Sequence, residues 1–336
     1  DGAALQVQDD NEQYTTLSVA SQKHIGINFT SAELTMQLDD FAERVLKPRI
    51  SQLASSIDAD VATAYKSIYN SVGTPGTTPG TSLVLLQAQQ KLNEFATPMS
   101  PRYATVNPAA NAGLVEGMKG LFNPTDTVSR QFKNGMMGTG VLGFDEINMS
   151  QSIGMHTTGA WGTTITSTGT LSTQGQATLP ISFTGSGKTW KQGDVFTIAG
   201  VYAVNPQTRQ STGSLQQFVV TADLTASSTG TLSISPAIYT ADHALATVDS
   251  FPQATAVVTM LGSASTQYAQ NLSYHKDAIT LATADLLLPQ GVDMASRQTH
   301  NGISMRIVRQ YDINNDRMPC RVDVLYGYAA IRPSMA

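Results

Sequence analysis

The chain has 336 residues and a mass of 35.7 kDa, with 41% hydrophobic residues, only 13% charged, a net charge of −5 and a pI near 5.5. The apolar fraction excludes disorder throughout, and the acidic balance argues against a DNA-coating protein, which needs a basic stripe. Cys320 is the only cysteine, so an intrachain disulfide and a cysteine-based zinc site are excluded.

At about 150 residues per domain, two or three domains are expected. No apolar run reaches the ~18 residues of a membrane-spanning helix. There is no signal peptide. The chain opens at Asp1 without Met, which reads as a fragment, a processed product or the ordered part of something longer. Ser and Thr, 30 and 40 residues, fill the place that charge usually takes.

Residues 1–35 read as a hydrophilic start, Asp9-Asp-Asn-Glu-Gln, followed by an extended β ribbon. Lys23-His-Ile-Gly-Ile-Asn-Phe-Thr alternates, with Ile25, Ile27 and Phe29 on one face. With no helix partner nearby, it reads as a projecting ribbon. Residues 36–81 hold a long helix: Ile50, Leu53, Ile57, Val61, Ala64 and Ile68 follow spacings of 3, 4, 4, 3 and 4. A helix of ~33 residues would span roughly 50 Å, and Pro48 should kink or split it. Val72-Gly-Thr-Pro-Gly-Thr-Thr-Pro-Gly ends it.

Residues 82–156 predict a second helix over 82–96, with Leu85, Leu86, Leu92 and Phe95 as its apolar face. A strand at Arg102–Val106 follows. Asn107-Pro108 is an N-cap with proline at the first helical position. That helix should run to about Met118, with Gly120 as the stop. Val141-Leu-Gly-Phe and the neighbourhood of Ile147 read as strands.

Residues 157–265 differ again: 13 Ser, 22 Thr, seven charged residues and no Glu in 109 positions. Five β runs begin at Ala177, Asp194, Gln216, Thr231 and Ala254, with turn residues between them. They predict an inserted all-β barrel or sandwich of about six strands. Residues 266–336 return to mixed character, with strands at His275–Thr283, Ile303–Arg309 and Cys320–Gly327.

No motif carries convincing chemistry. Gly185-Ser-Gly-Lys-Thr189 looks like the end of a phosphate-binding loop, but Ser182 stands where the first Gly belongs and a strand follows where a helix is required. A β-turn is the better reading. Asp312-x-Asn314-x-Asp316 mimics a calcium loop, but Arg317 replaces its Gly and Asp323 its Glu; a turn between strands is preferred. His24, His156, His243, His275 and His300 show no metal-pair spacing, and no Gly-x-Ser-x-Gly elbow occurs. Cys320 reads as a small core residue. Trp161 and Trp190 could bind sugar if exposed, although core packing is the simpler role. Asn28, Asn148 and Asn271 head Asn-x-Ser/Thr sites that matter only in a eukaryotic secretory setting. No catalytic residue, metal ligand or cofactor is assigned.

The order of elements resembles the tailed-phage major capsid fold of the Hong Kong ninety-seven type. The β insertion makes it similar to the phage P-twenty-two-type coat proteins. The stretches that carry the likeness are Leu17-Ser-Val-Ala-Ser-Gln, Phe29, Asp39-Asp40, Gly193-Asp-Val-Phe-Thr-Ile-Ala-Gly-Val, Ala269-Gln-Asn-Leu-Ser-Tyr-His-Lys-Asp-Ala and Leu325-Tyr-Gly-Tyr-Ala-Ala-Ile-Arg-Pro. They are collinear over nearly the whole chain.

The resemblance implies an α+β shell subunit and no enzyme. It has an E-loop ribbon that lies over a neighbour, a spine helix in the peripheral domain, an axial domain completed by residues 266–336, and an immunoglobulin-like insertion that aids folding and stability. Implied partners are further copies in hexamers and pentamers, a scaffolding protein, a portal, and packaged double-stranded DNA enclosed without tight binding. No membrane is involved. Assembly in the bacterial host cytoplasm and residence in the virion follow. Lys23, His24, Ile25, Ile27 and Phe29 of the ribbon and Thr170, Ser172 and Gln174 of the insertion are the expected assembly contacts. Two features depart from the family. Only about 16 residues precede Leu17 where a longer N-terminal arm is usual. Thr166–Gln176 is short and uncharged where better-known members carry a long charged loop. A Ser/Thr-rich carbohydrate-binding adhesin or tail-associated module is the alternative, and a nucleotide hydrolase at Lys188 or a metal enzyme the third.

Overall fold

The alternation of Ile25 and Ile27 is realised in strand β1, Ser21–Ile27, whose buried end is Ile27. The computed structural model describes residues 14–28, 47–118, 138–169, 171–241, 243–300 and 302–336. Phe29, the opening of the long helix, Gly120 and Thr170 lie outside them. The chain divides into two units, Leu38–Thr280 with Arg332–Ala336, and Asp1–Gln37 with Leu281–Ile331.

In the first of these units, helix α1, Lys47–Ala62, passes into a 3₁₀ turn, Thr63–Ser67. Leu53, Ile57, Ala64 and Ile68 are buried along the predicted stripe. Pro48 stands in the first described turn. The helical path ends at Ser67, where Ile68 turns extended. Residues 68–81 follow without helix or strand. Helix α2, Ser82–Glu94, buries Leu85, Ala88 and Leu92. Leu86, expected on the same face, is exposed, because a stripe through 85, 88 and 92 leaves 86 about 100° away.

Strand β2, Arg102–Val106, leads to Asn107, whose side-chain oxygen accepts from Ala110 N at 2.9 Å and caps helix α3, Pro108–Gly117. Strands β3, Gly138–Val141, and β4, Phe144–Met149, form a hairpin. The Val141–Phe144 stretch, expected as a strand, is its turn. Leu142 and Gly143 both take positive φ there, as a two-residue hairpin turn needs.

The chain then rises through β5, Met155–Thr157, into an all-β body. Its strands are β6, Thr163–Ser167, β7, Gln176–Thr184, β8, Lys188–Trp190, β9, Val195–Val204, β10, Ser211–Val220, β11, Leu224–Ala226, β12, Thr229–Ile238, and β13, Val258–Met260. Six of them form one sheet in the order β13-β9-β10-β12-β7-β6, and β8 pairs with β11 beside it. A bridge between Thr166 and Val257 joins the two outer strands. Ser167 N donates to Ala256 O at 2.9 Å, and Thr255 N to Ser167 O at 3.0 Å. Of the two expected all-β forms, the chain builds the barrel. Leu179, Ile181, Trp190, Phe196, Ile198, Phe218 and Leu232 fill it. The predicted strand from Ala254 is shorter than expected, because residues 254–257 are spent on closing the barrel.

The chain leaves through β14, Gln267–Ala269, which pairs with β5: Gln267 faces Thr157 and Ala269 faces Met155. Strand β15, Leu272–His275, joins β2, β4 and β3 in a sheet of order β15-β2-β4-β3, in which β2 and β4 run parallel. Leu85, Leu92, Ala104, Val106, Leu114, Phe144 and Ile147 pack between this sheet and helices α2 and α3.

The strand expected over 275–283 is two strands. Ala278 N donates to His275 O in a turn at 2.9 Å, and β16 occupies Ile279–Ala284. In the other unit β17, Met294–His300, β18, Ile303–Arg309, and β19, Cys320–Ala330, follow. β17 has no strong sequence signal. The sheet order is β1-β19-β18-β17, with β16 also on β19.

The expected free ribbon is therefore, over residues 21–27, an edge strand paired along its length. Ile25 faces Val322 and Ile27 faces Cys320. The backbone closes in just before it. A Cβ on Gly327 would stand 2.0 Å from Ser18 O and 2.9 Å from Val19 Cα. Gly327→Ala should therefore cost about 1–3 kcal/mol by overpacking, read as a lower denaturant midpoint. Gly154→Ala serves as the control, since its φ is not positive and no neighbour lies within 4 Å of its added Cβ.

Candidate functional site

Two centres are built on a buried carboxylate, one in each unit. In the strand unit, the alternation of β19 places Cys320, Val322, Val324 and Tyr326 on its buried side. Asp323 falls on the other side, with His24 opposite it in β1 and Arg306 opposite it in β18. Its carboxylate is fully covered. Arg306 Nη2 donates to Oδ2 at 2.6 Å, and Arg321 Nε to Oδ1 at 2.5 Å. Burial alone would raise the Asp323 pKa, but the two guanidinium bonds outweigh it and hold the carboxyl below its ordinary value.

The second centre is at the barrel neck. Asp194 sits in the turn before β9 and is buried. Its Oδ2 accepts from Lys191 N at 2.7 Å and Gly159 N at 3.1 Å. Its Oδ1 accepts from His156 Nε2 at 3.0 Å. With Nε2 donating, Nδ1 of His156 accepts from the Tyr65 hydroxyl at 3.0 Å. The imidazole thus joins the 3₁₀ turn after α1 to the barrel, and Tyr268 of β14 stands edge-on to it. Burial, with the Asp194 charge adding to it, pushes both the Tyr65 and Tyr268 phenols up to about 12.

Gly159 admits no side chain, since an added Cβ would lie 2.3 Å from Thr189 O. Around this centre, Gln217 clasps the Ser71 backbone through Nε2 and Oε1 at 2.8 and 2.9 Å. Asn205 Nδ2 donates to Glu94 O at 2.8 Å, and Tyr69 packs edge-on to Phe95 against Val195 and Val219.

These centres are structural in geometry. The Gly185–Lys188 stretch is the turn between β7 and β8, as its sequence context suggests, with Gly185 and Gly187 at positive φ. Asp312 is likewise consumed by its own turn between β18 and β19. It accepts from Asn314 N and Asn315 Nδ2, and its backbone pairs with Arg317. Trp190 is fully buried against Phe183 and Trp161 is half-buried against the same core, so the proposed sugar platform has no exposed ring at 190. Cys320 is buried, and that burial raises its thiol pKa. Among the described residues no group of acidic, His or Cys side chains has metal-binding geometry. No described helix is long and apolar enough to cross a membrane.

The sequence-predicted contact residues fall in separate environments. Ile25 and Ile27 turn into the sheet, while His24 is exposed on the opposite side. Lys23 is half-buried. Ser172 is exposed. Gln174 is exposed as a residue, but its amide is engaged with Thr240, donating to Oγ1 at 2.7 Å and accepting from N at 3.0 Å. Phe29 and Thr170 lie outside the described residues. The His156–Asp194–Tyr65 centre was missed, because its three members stand far apart in the chain and match no local motif.

A model of a phage coat-protein family matches residues 11–336, so the protein is a major capsid protein of a tailed phage. The family is described as P22 coat protein, gene protein 5, and the chain belongs to it. A "Major capsid protein" of Acyrthosiphon pisum secondary endosymbiont phage 1 is 22% identical over 332 residues, covering 93% of this chain and 77% of that one. A structure from Mycobacterium phage Che8 aligns over 95% of this chain and 70% of its own, with a TM-score of 0.45 and 10% identity. The CUS-3 coat protein I-domain is 31% identical over 30% of this chain and 96% of its own, with a TM-score of 0.23. The chain functions by assembling with itself into the capsid of the virion.

Two outcomes are expected. His156→Phe keeps a ring but removes one donor from a buried carboxylate, and should lower unfolding free energy by about 1–3 kcal/mol. Asp323 has a folded pKa below its unfolded value of roughly 4. Its stabilisation is therefore fully present above the unfolded value and is lost as pH falls through the folded one. Thermal melting across acid pH should show this loss, and Asp323→Asn should remove that component.

Proposed function

We propose that this chain is the subunit of a closed icosahedral shell, built as hexamers and pentamers, with no catalytic activity of its own. The observation that carries this is the contrast between its two β structures. The barrel is closed on itself, whereas, among the described residues, the sheet of the strand unit ends at β1 and β17. An open edge offers backbone donors and acceptors to another chain.

In this reading residues 1–35 are the N-terminal segment and ribbon, and 36–81 the spine of the peripheral domain. Residues 82–156 and 266–336 build the axial and remaining peripheral parts, and 157–265 the inserted domain. The antiparallel pairing of β5 with β14 supports that insertion, since it brings entry and exit together. Contacts between copies run through Lys23, His24, Ile25, Ile27 and Phe29 of the ribbon segment and Thr170, Ser172 and Gln174 of the barrel. The exposed His24 and Ser172 are the best placed of the described ones. A scaffolding protein and a portal complete assembly in the bacterial cytoplasm. The shell encloses double-stranded DNA without gripping it, which the net charge of −5 favours.

Negative-stain electron microscopy of the concentrated protein, co-expressed with its gene neighbours, should show closed shells or capsomer rings. Monodisperse monomers under all conditions would overturn the reading. Residues 157–265 should also fold alone and give a dispersed NMR spectrum. A collapsed spectrum would reject that boundary.

A further inference from the structure

The segment between β16 and β17, residues 285–293, carries three consecutive leucines. Leu286 is half-buried, Leu288 is 41% exposed, and Leu287 is 87% exposed. Met294, which opens β17, is 44% exposed. Such exposure forgoes the transfer free energy that burying a leucine would gain. Here the backbone is held.

Arg306 Nη1 donates to Leu287 O at 2.5 Å, and Arg297 Nη1 to Leu286 O at 3.3 Å. Arg297 also pairs with Asp285 at 3.3 Å, and Arg309 with Asp293 at 2.8 Å, so both ends of the segment are pinned to the β17–β18 hairpin. Arg306 is itself aimed by the buried Asp323. The chain thus fixes Leu287 in solvent by a relay that starts from a buried carboxylate. Presenting an apolar group on an already ordered backbone removes the ordering cost of association.

We propose that Leu287, with Leu288 beside it, is an anchor that inserts into an apolar surface of a second copy of this chain in the shell. The proposal rests on the coat-protein reading and names a contact that it leaves open. Charge selects the occupant. Arg297, Arg306, Arg309 and Arg321 are each paired with one of Asp285, Asp293 and Asp323 within the chain. The guanidiniums are thereby committed, and a phosphate backbone would have to break those pairs to bind here. What remains is an apolar projection beside four guanidiniums and three carboxylates that are paired with one another, an anchor with a polar rim as at a protein interface. In a shell the protein surface presented in the greatest number is that of the other copies.

The test uses the full chain. Leu287→Asp changes an exposed side chain, so its melting temperature should match wild type, while shells should be lost under conditions where wild type forms them. Leu287→Ser is the milder companion should Asp disturb the fold. Leu287→Cys gives an independent reading, because the native Cys320 is buried. A maleimide should label residue 287 in free subunits and fail to label it in shells.

Normal shells from Leu287→Asp, or equal labelling in subunits and shells, would overturn the anchor and leave the coat-protein reading intact. Failure of wild type to form shells would overturn that reading, and the anchor with it.

Discussion

The buried carboxylate of Asp194 holds the larger unit together. Two backbone N–H groups and one imidazole converge on it, from the turn before β9, from the entry segment at Gly159 and from β5. A carboxylate out of water is costly unless such donors surround it. The geometry of the neck follows from meeting that demand. Gly159 must be glycine to approach Thr189, and His156 must face two ways to bring Tyr65 into the same network. The barrel is seated on helices α1 and α2 by this centre, by Gln217 on Ser71 and by the Tyr69–Phe95 contact, not by the three-residue β5–β14 ladder alone.

Asp323 solves the same problem by opposite means. Among the described residues it has no backbone donors and relies on two guanidiniums. Charge–charge pairing lets it do a second job, because Arg306 has a further N–H to spend on Leu287 O. One centre therefore fastens a neck, and the other reaches out to order a surface segment.

Much of this was legible in the sequence where the signal is local. Periodicity marked the stripe of Leu53, Ile57 and Ala64, the Asn107-Pro108 cap was legible in full, and alternation marked β18 and β19. Failures came where tertiary demands decide. Val141–Phe144 is apolar enough for a strand, yet Gly143 makes it a turn. His275–Thr283 reads as one strand because the break at Lys276–Ala278 contains neither Gly nor Pro. The ribbon looked unpartnered because its partner, β19, lies almost 300 residues away. The collinear family likeness, not any single motif, pointed to a capsid subunit. The buried polar centres were illegible, since only folding brings His156 within reach of Asp194 and Arg306 within reach of Leu287.

The barrel closure has a consequence for the crowded life of a coat protein. Residues 157–265 are a third Ser and Thr, nearly uncharged and rich in β-branched runs. Strands of that composition with open ends would recruit one another as the protein accumulates, since little charge keeps them apart. The Thr166–Val257 bridge ties off the ladder inside each molecule. An open ladder end is thereby removed from this segment, which disfavours edge-to-edge stacking of one barrel on another.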